Sequence, residues 1–250
     1  MSASSNSKTV KTILPPLLHR GRSLSIRRTA PIDAALLFER MYHNPHFMHL
    51  FRLNDGADTE AQLRDRLAHR LTVSPQKSGY LELLAIHARH GPIGVGVLTD
   101  YSSFHGRAEL LVGLFEEAHR HFSYGLEMGL LLGDLAFNQY GLHRLYAYSY
   151  GHNIYAQTIL ARMGFAAEGV MQEHVYDRDA KQFVDLHVFG LTEPHFRENA
   201  RIARFSKRLV GRDITQPLSP PVRAEGVSET SPRPAYVASG AIAIGRNRSE

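Results

Sequence analysis

The residues best placed for chemistry begin with one strand–loop–helix pattern. Ala108–Phe115 is an apolar run that reads as a strand, Glu116 to His121 is a short polar loop, and a helix opens near Ser123-Tyr-Gly-Leu-Glu127. Such a unit aims the free amides of a helix start at the end of the strand, and with the helix dipole they make a site for an anion such as phosphate. Gly125 lets the backbone approach a bulky phosphate, and Arg120 and His121 add positive charge. The same turn is also a plain connection in many α/β chains, so it does not stand alone. His43, His46 and His49 are spaced three apart, as metal ligands can be. Pro45 interrupts that spacing and no carboxylate follows before Asp55, so no metal site is expected. Tyr146, Tyr148 and Tyr150 share one face of a later strand and read as core aromatics under a helix. Glu116-Glu117 reads as a solvated turn.

The elements around these residues alternate. Ser23–Arg28 is a strand, Pro31–Tyr42 a helix with proline at its start, and Asp58 or Thr59 caps a second helix through Leu71. Tyr80–Ala88, Ile93–Leu98 and Ala108–Phe115 are strand-like, the last two joined by a turn at His105-Gly106. Tyr124–Tyr140 is a long helix ended by Gly141, Leu145–Tyr150 a strand, and Ile154–Met163 a helix closed by Gly164. Val170–Tyr176 and Phe183–Leu191 form a hairpin around Asp177-Arg-Asp179. The order gives an α/β chain with a mixed sheet covered by helices.

Composition bounds the rest. The 250 residues carry 29 Lys plus Arg against 24 Asp plus Glu, a formal charge of +5, and the cations are dispersed rather than clustered. Nucleic acid is therefore not an expected partner. Cysteine is absent, which excludes disulfides, thiolate metal sites and a cysteine nucleophile, and fits a cytoplasmic location. No apolar run approaches the roughly 20 residues of a membrane span, and no signal-peptide core is present. The reading is a flexible segment over residues 1–18, one domain over 19–211, and a disordered tail over 212–250 that holds five of the 12 prolines.

Three stretches resemble the GCN5-related N-acetyltransferases (GNAT), and within them the branch acting on N-terminal residues of ribosomal proteins. Arg120-His-Phe-Ser-Tyr-Gly125 is similar to the family's Arg/Gln-x-x-Gly-x-Gly pyrophosphate loop. Phe137-Asn-Gln-Tyr-Gly-Leu-His-Arg-Leu145 matches the helix-to-strand junction. Asn153 is followed by Gly164-Phe165, Glu168-Gly169 and Asp185 at the family's spacing, and the similarity spans about Ser23 to Phe196.

The resemblance implies a mostly antiparallel, splayed sheet with helices on both faces, and an acetyltransferase that uses acetyl-coenzyme A. The acceptor is a primary amine on a peptide N-terminus, a polyamine or a small metabolite, attacked directly in a ternary complex. The implied cofactor contacts are main-chain groups of Leu114 and Phe115, the loop Arg120, His121, Phe122, Ser123, Tyr124, Gly125 and Leu126, and Asn153. Gly113 is the place for a bulge that splays the strands, and Glu109, eleven residues before Arg120, falls where one branch keeps its base; the alternative is that Glu109 pairs with a neighbouring cation. The His43–His49 stretch then becomes a substrate-facing loop, and Glu173 and His174 either meet the amine or are solvated. A homodimer is left open. Three positions depart from the pattern: Ser123 replaces the first loop glycine, Leu160 stands where many relatives have tyrosine, and Ala156 where some have serine. Tyr155 reads as turned to another face of that helix than Leu160. These departures carry the alternative of a non-catalytic acyl-coenzyme A-binding or interaction module with the same fold.

Overall fold

Among the described residues the period-two patterning forms eight strands: β1 (Leu17–Arg20), β2 (Leu24–Arg28), β3 (Leu81–His87), β4 (Gly91–Ser102), β5 (Arg107–Leu114), β6 (Arg144–Tyr150), β7 (Ala166–Asp177) and β8 (Gln182–Thr192). The computed structural model describes residues 15–51, 57–177 and 180–217. The strands form one sheet in the order β1-β2-β3-β4-β5-β6-β8-β7. Every pairing is antiparallel except β5 with β6, which is parallel. This is the mixed, mostly antiparallel sheet that the sequence led us to expect.

Both faces of the central strands are buried, which explains their near-continuous apolar runs. Helix α5 (Tyr124–Asp134) covers one face: its Leu126, Met128 and Leu131 pack with Leu83, Leu98, Leu110 and Leu145. The other face is covered by α1 (Ala34–Leu37), α2 (Pro45–Phe51) and α3 (Glu60–Thr72). There Leu37, Phe47, Phe51, Leu63 and Leu67 meet Leu84, Val95, Val97 and Leu111. Successive residues such as Leu110 and Leu111 thus serve opposite cores.

Helix α5 is apolar on all sides and is buried accordingly. Its two acids each tie down another segment. Glu127 accepts from the backbone amides of Ser23 (2.8 Å) and Leu24 (3.0 Å). Asp134, fully buried, receives His19, the Arg212 guanidinium and Asn138 Nδ2.

Four differences from the sequence reading have local causes. Pro45 starts a helix rather than breaking one: Asn44 Oδ1 accepts from Phe47 N at 3.1 Å, so Asn44-Pro45 is a capped helix start. The His43–His49 stretch is therefore mostly helix. Residues 17–18, assigned to the flexible segment, belong to β1, which pairs with β2. Two further helices, α7 (Glu193–Glu198) and α8 (Ala200–Leu209), follow β8; earlier in the chain α4 (Pro75–Ser78) leads into β3 and α6 (Ile154–Arg162) precedes β7. Finally, Ile214 is 0% exposed and Arg212 reaches Asp134, so the packed domain runs past residue 211. Residues 1–14 and 218–250 of the two terminal segments lie outside the described residues, as do Arg178 and Asp179 of the hairpin turn.

Candidate active site

Strands β5 and β6 share hydrogen bonds only at their first residues, Arg107–Glu109 against Arg144–Tyr146. Beyond Glu109 they diverge, while β5 stays paired with β4 through Leu114. The amide of Phe115 donates to Ile93 O (3.0 Å), toward β4. Main-chain groups alternate sides along a strand, so those of Leu110, Val112 and Leu114 point into the gap. The main-chain groups of Leu114 thus lie on the gap side, and those of Phe115 face β4. No bulge forms at Gly113: Val95 and Gly113 are in register, and the irregularity of this pair lies between Thr99 and Ser102, where Asp100 has φ +45°. The glycine serves packing instead. A Cβ there would lie 2.4 Å from Phe47 Cζ and 2.9 Å from Phe51 Cδ2, so its absence lets α2 settle on β5.

The divergence opens a cleft of about 980 Å³, its mouth included. Leu110–Leu114 form one wall, Ala147, Tyr148 and Asn153 the other, and Phe47, Leu50 and Phe51 of α2 close one side. At the far end stand Arg120, Gly125 and Tyr155. Helix α5 begins here. Its first intrahelical bond is Glu127 N to Ser123 O (2.8 Å), so the amides of Tyr124, Gly125 and Leu126 precede the hydrogen-bonded ladder. The Ser123 side chain makes no capping bond.

Tyr155 is the residue that the sequence reading misplaced. It lines the same cleft as Leu160, because Tyr155, Ala156, Ile159, Leu160 and Met163 together form one broad face along α6. Its hydroxyl is buried with no hydrogen-bond partner among the described residues. A Cβ on Gly125 would sit 2.7 Å from that oxygen, so glycine is required by the close approach. Burial pushes the Tyr155 phenol above its ordinary pKa, against a smaller opposing pull from Arg120, and it stays a neutral donor. The rest of the loop divides. Arg120 faces the cleft, whereas His121, Phe122 and Ser123 are exposed. Tyr124 turns toward His87 Nε2 (3.3 Å), and the Leu126 side chain is in the core. Asn153 caps α6, its Oδ1 accepting from Ala156 N at 3.1 Å, while also lining the cleft.

Glu109 stands where the parallel pairing ends, opposite Tyr146. It shares the α2 face of β5 with Leu111 and Gly113. The tyrosines lie on this face too, since Tyr150 stacks on His49 of α2 at 5.1 Å between centroids. They are not a helix-covered core stripe: Tyr146 and Tyr148 are half-buried and only Tyr150 is buried. Tyr146 donates to Asp100, which also pairs with Arg107 at 3.0 Å. Burial, then the Asp100 bond and the charges of Asp100 and Glu109, push the Tyr146 phenol well above its usual value. Glu173 and His174 are exposed at an irregularity in β7, and Glu116 and Glu117 are exposed as expected. His43 stacks on Phe38, His46 is exposed, and His49 turns to Tyr150, so the three histidines do not converge.

A family model described as an acetyltransferase (GNAT) domain matches residues 23–166. Among solved structures, ribosomal-protein-S5-alanine acetyltransferase from Vibrio fischeri superposes with TM-score 0.59 at 16% identity, covering 68% of this chain and 93% of that one. Spermidine N-acetyltransferase from Vibrio cholerae, solved with CoA and spermine, also gives 0.59 at 16% identity, covering 68% and 95%. No curated protein matches the sequence. Among the described residues no helix is long and apolar enough to cross a membrane.

Proposed function

Because this chain belongs to the GNAT acetyltransferase family, we propose that it moves an acetyl group from acetyl-coenzyme A to a primary amine by direct attack in a ternary complex. The observation that carries the reading is the unpaired edge of β5, which runs from Glu109 toward the start of α5. An extended amide-bearing arm can pair with Leu110, Val112 and Leu114 as an added strand would. A pyrophosphate at its end meets the amides of Tyr124, Gly125 and Leu126, the Arg120 side chain and the Tyr155 hydroxyl. The buried, unpartnered Tyr155 oxygen gives a specific reason to expect a polar ligand group there. Acetyl-coenzyme A supplies the activated thioester. The chain orients it, and amides on the gap side of β5 polarise its carbonyl.

The acceptor approaches from the α2 face. Glu109 takes a proton from the amine, directly or through water, at the point where the strands part. Tyr146 and Tyr148 flank this point and offer ring faces and hydroxyls to a cation. The Vibrio cholerae spermidine N-acetyltransferase is solved with spermine, whose two ends are primary amines, which supports that class. The test is release of free thiol from acetyl-coenzyme A by the purified chain with a panel of polyamines, peptides and small amines. Amine-dependent release supports the proposal. Tight coenzyme A binding with no turnover on any amine would instead establish the binding-module reading, which the leucine at position 160 favours.

A further inference from the structure

Three side chains outside the acetyl-transfer cleft converge from distant parts of the chain. His49 comes from α2, His152 from the turn between β6 and α6, and Asp177 from the end of β7. One nitrogen of each histidine and one carboxylate oxygen all lie within 4.8 Å of one another. We propose that His49, His152 and Asp177 bind a divalent transition-metal ion, with Zn²⁺ as the probe.

The distances favour a shared ligand over a direct bond. His49 Nε2 and Asp177 Oδ2 are 3.6 Å apart, too long for a hydrogen bond. Two donors on one tetrahedral Zn²⁺, each at about 2.0–2.1 Å, are separated by about 3.3–3.4 Å. A small rotation of each side chain closes the difference. The third donor, His152, is exposed and stacks on Tyr150 with the ring centroids 5.3 Å apart.

The surroundings hold the donors. Tyr150 stacks on His49 (interplanar angle 11°) and on His152 (6°), which orients both imidazoles. Asp177 Oδ1 accepts from Ala180 N at 3.0 Å, which fixes the carboxylate with Oδ2 toward His49. Asp177 is 5% exposed and His49 partly buried, so two of the three donors are already in place. Two imidazoles and one carboxylate suit Zn²⁺, Ni²⁺, Co²⁺ or Fe²⁺ rather than Mg²⁺. Three protein donors leave a position for water or a ligand.

Its location gives the ion a mechanical role. Through Phe47 and Phe51, α2 rests on β5; through His49 it reaches β6 and β7. A metal here ties the two halves of the sheet together on the face opposite α5, across the gap between β5 and β6. This holds whether or not the chain acetylates amines.

The test uses the full chain after chelator treatment and dialysis. Calorimetric titration with Zn²⁺ should give one saturable site per chain, and Co²⁺ should give a visible d–d band. Zn²⁺ should also raise the thermal midpoint, as any ligand specific to the folded state does. His152→Ala, at an exposed position where folding is safe, should weaken binding at least about tenfold and abolish the midpoint rise. His46→Ala should change neither, and Mg²⁺ should not substitute. Absence of saturable binding at about 100 µM Zn²⁺, or unchanged stoichiometry and affinity in a His49→Ala/His152→Ala variant, overturns the assignment.

Discussion

Replacing Tyr155 by Phe should have two effects of opposite sign. In the free protein the hydroxyl is buried with no protein partner, and such a group costs about 1–3 kcal/mol. Removing it leaves the ring, and hence the packing at Gly125, unchanged. The ligand-free variant should therefore be more stable, by at least about 1 kcal/mol. For a domain of this size that is a rise of about 2–4 °C in the unfolding midpoint. In the complex the same hydroxyl would face the anionic arm of acetyl-coenzyme A beside Arg120 and the α5 amides. Its loss removes a donor to a charged group, so affinity should fall by about 1–3 kcal/mol, or about 5- to 150-fold in Kd. The two measurements are a thermal scan without ligand and a coenzyme A titration. A variant that is less stable and binds coenzyme A normally would show that the hydroxyl is satisfied within the protein. It would also remove the strongest local reason for placing the diphosphate at this helix start.

Three other perturbations probe separate parts of the structure. Gly113→Ala puts a methyl group 2.4 Å from the Phe47 ring; it should destabilise by about 1–3 kcal/mol in urea titration and weaken acceptor KM through displacement of α2. Glu109→Gln should lower kcat by about 10²-fold or more while leaving coenzyme A affinity unchanged, as measured by thiol release and calorimetry. Burial raises the pKa of Asp134, but bonds from His19 and Asn138 and the Arg212 charge outweigh it and hold the carboxyl below its usual value. Its stabilisation is thus complete above the unfolded-state value of about 3.9 and is lost as pH falls through the lower folded-state value. Asp134→Ala should cost about 3–5 kcal/mol at neutral pH and flatten the acid limb of the urea midpoint.

The sequence was most legible where one residue type has one local use. Thr59 caps α3 through Gln62 N, Gly141 and Gly164 take positive φ after helices, and the alternation of Leu145–Tyr150 is a true strand. It was least legible where a contact depends on distant chain. Nothing local distinguishes a glycine that permits a bulge from one that admits Phe47, yet Gly113 does the second. The Asn44-Pro45 pair is a recognisable helix start, and reading it would have revealed α2 and the wall it builds. The offset of Tyr155 to Leu160 misled because the cleft runs along α6 against a face broad enough to hold both, together with Ala156, Ile159 and Met163. His152 and Asp177 are 25 positions apart, and neither has a spacing signature with His49.

The topology also bears on how the two substrates would meet. Across β1 to β5 the sheet is continuously hydrogen-bonded, and β6, β8 and β7 form a second paired block. The interruption between these blocks begins just past Glu109 and Tyr146. A ligand held at the start of α5 and an acceptor entering beside α2 approach this interruption from different sides. Contact there requires neither strand to move, because the missing β5–β6 pairs are absent before any ligand arrives. That arrangement favours transfer in one ternary complex over a covalent acyl-enzyme. The chain also has no cysteine, so the most readily acylated nucleophile is unavailable. Glu109 stands at the apex, where the β5–β6 pairing ends, and this placement is the reason for proposing it as the proton acceptor.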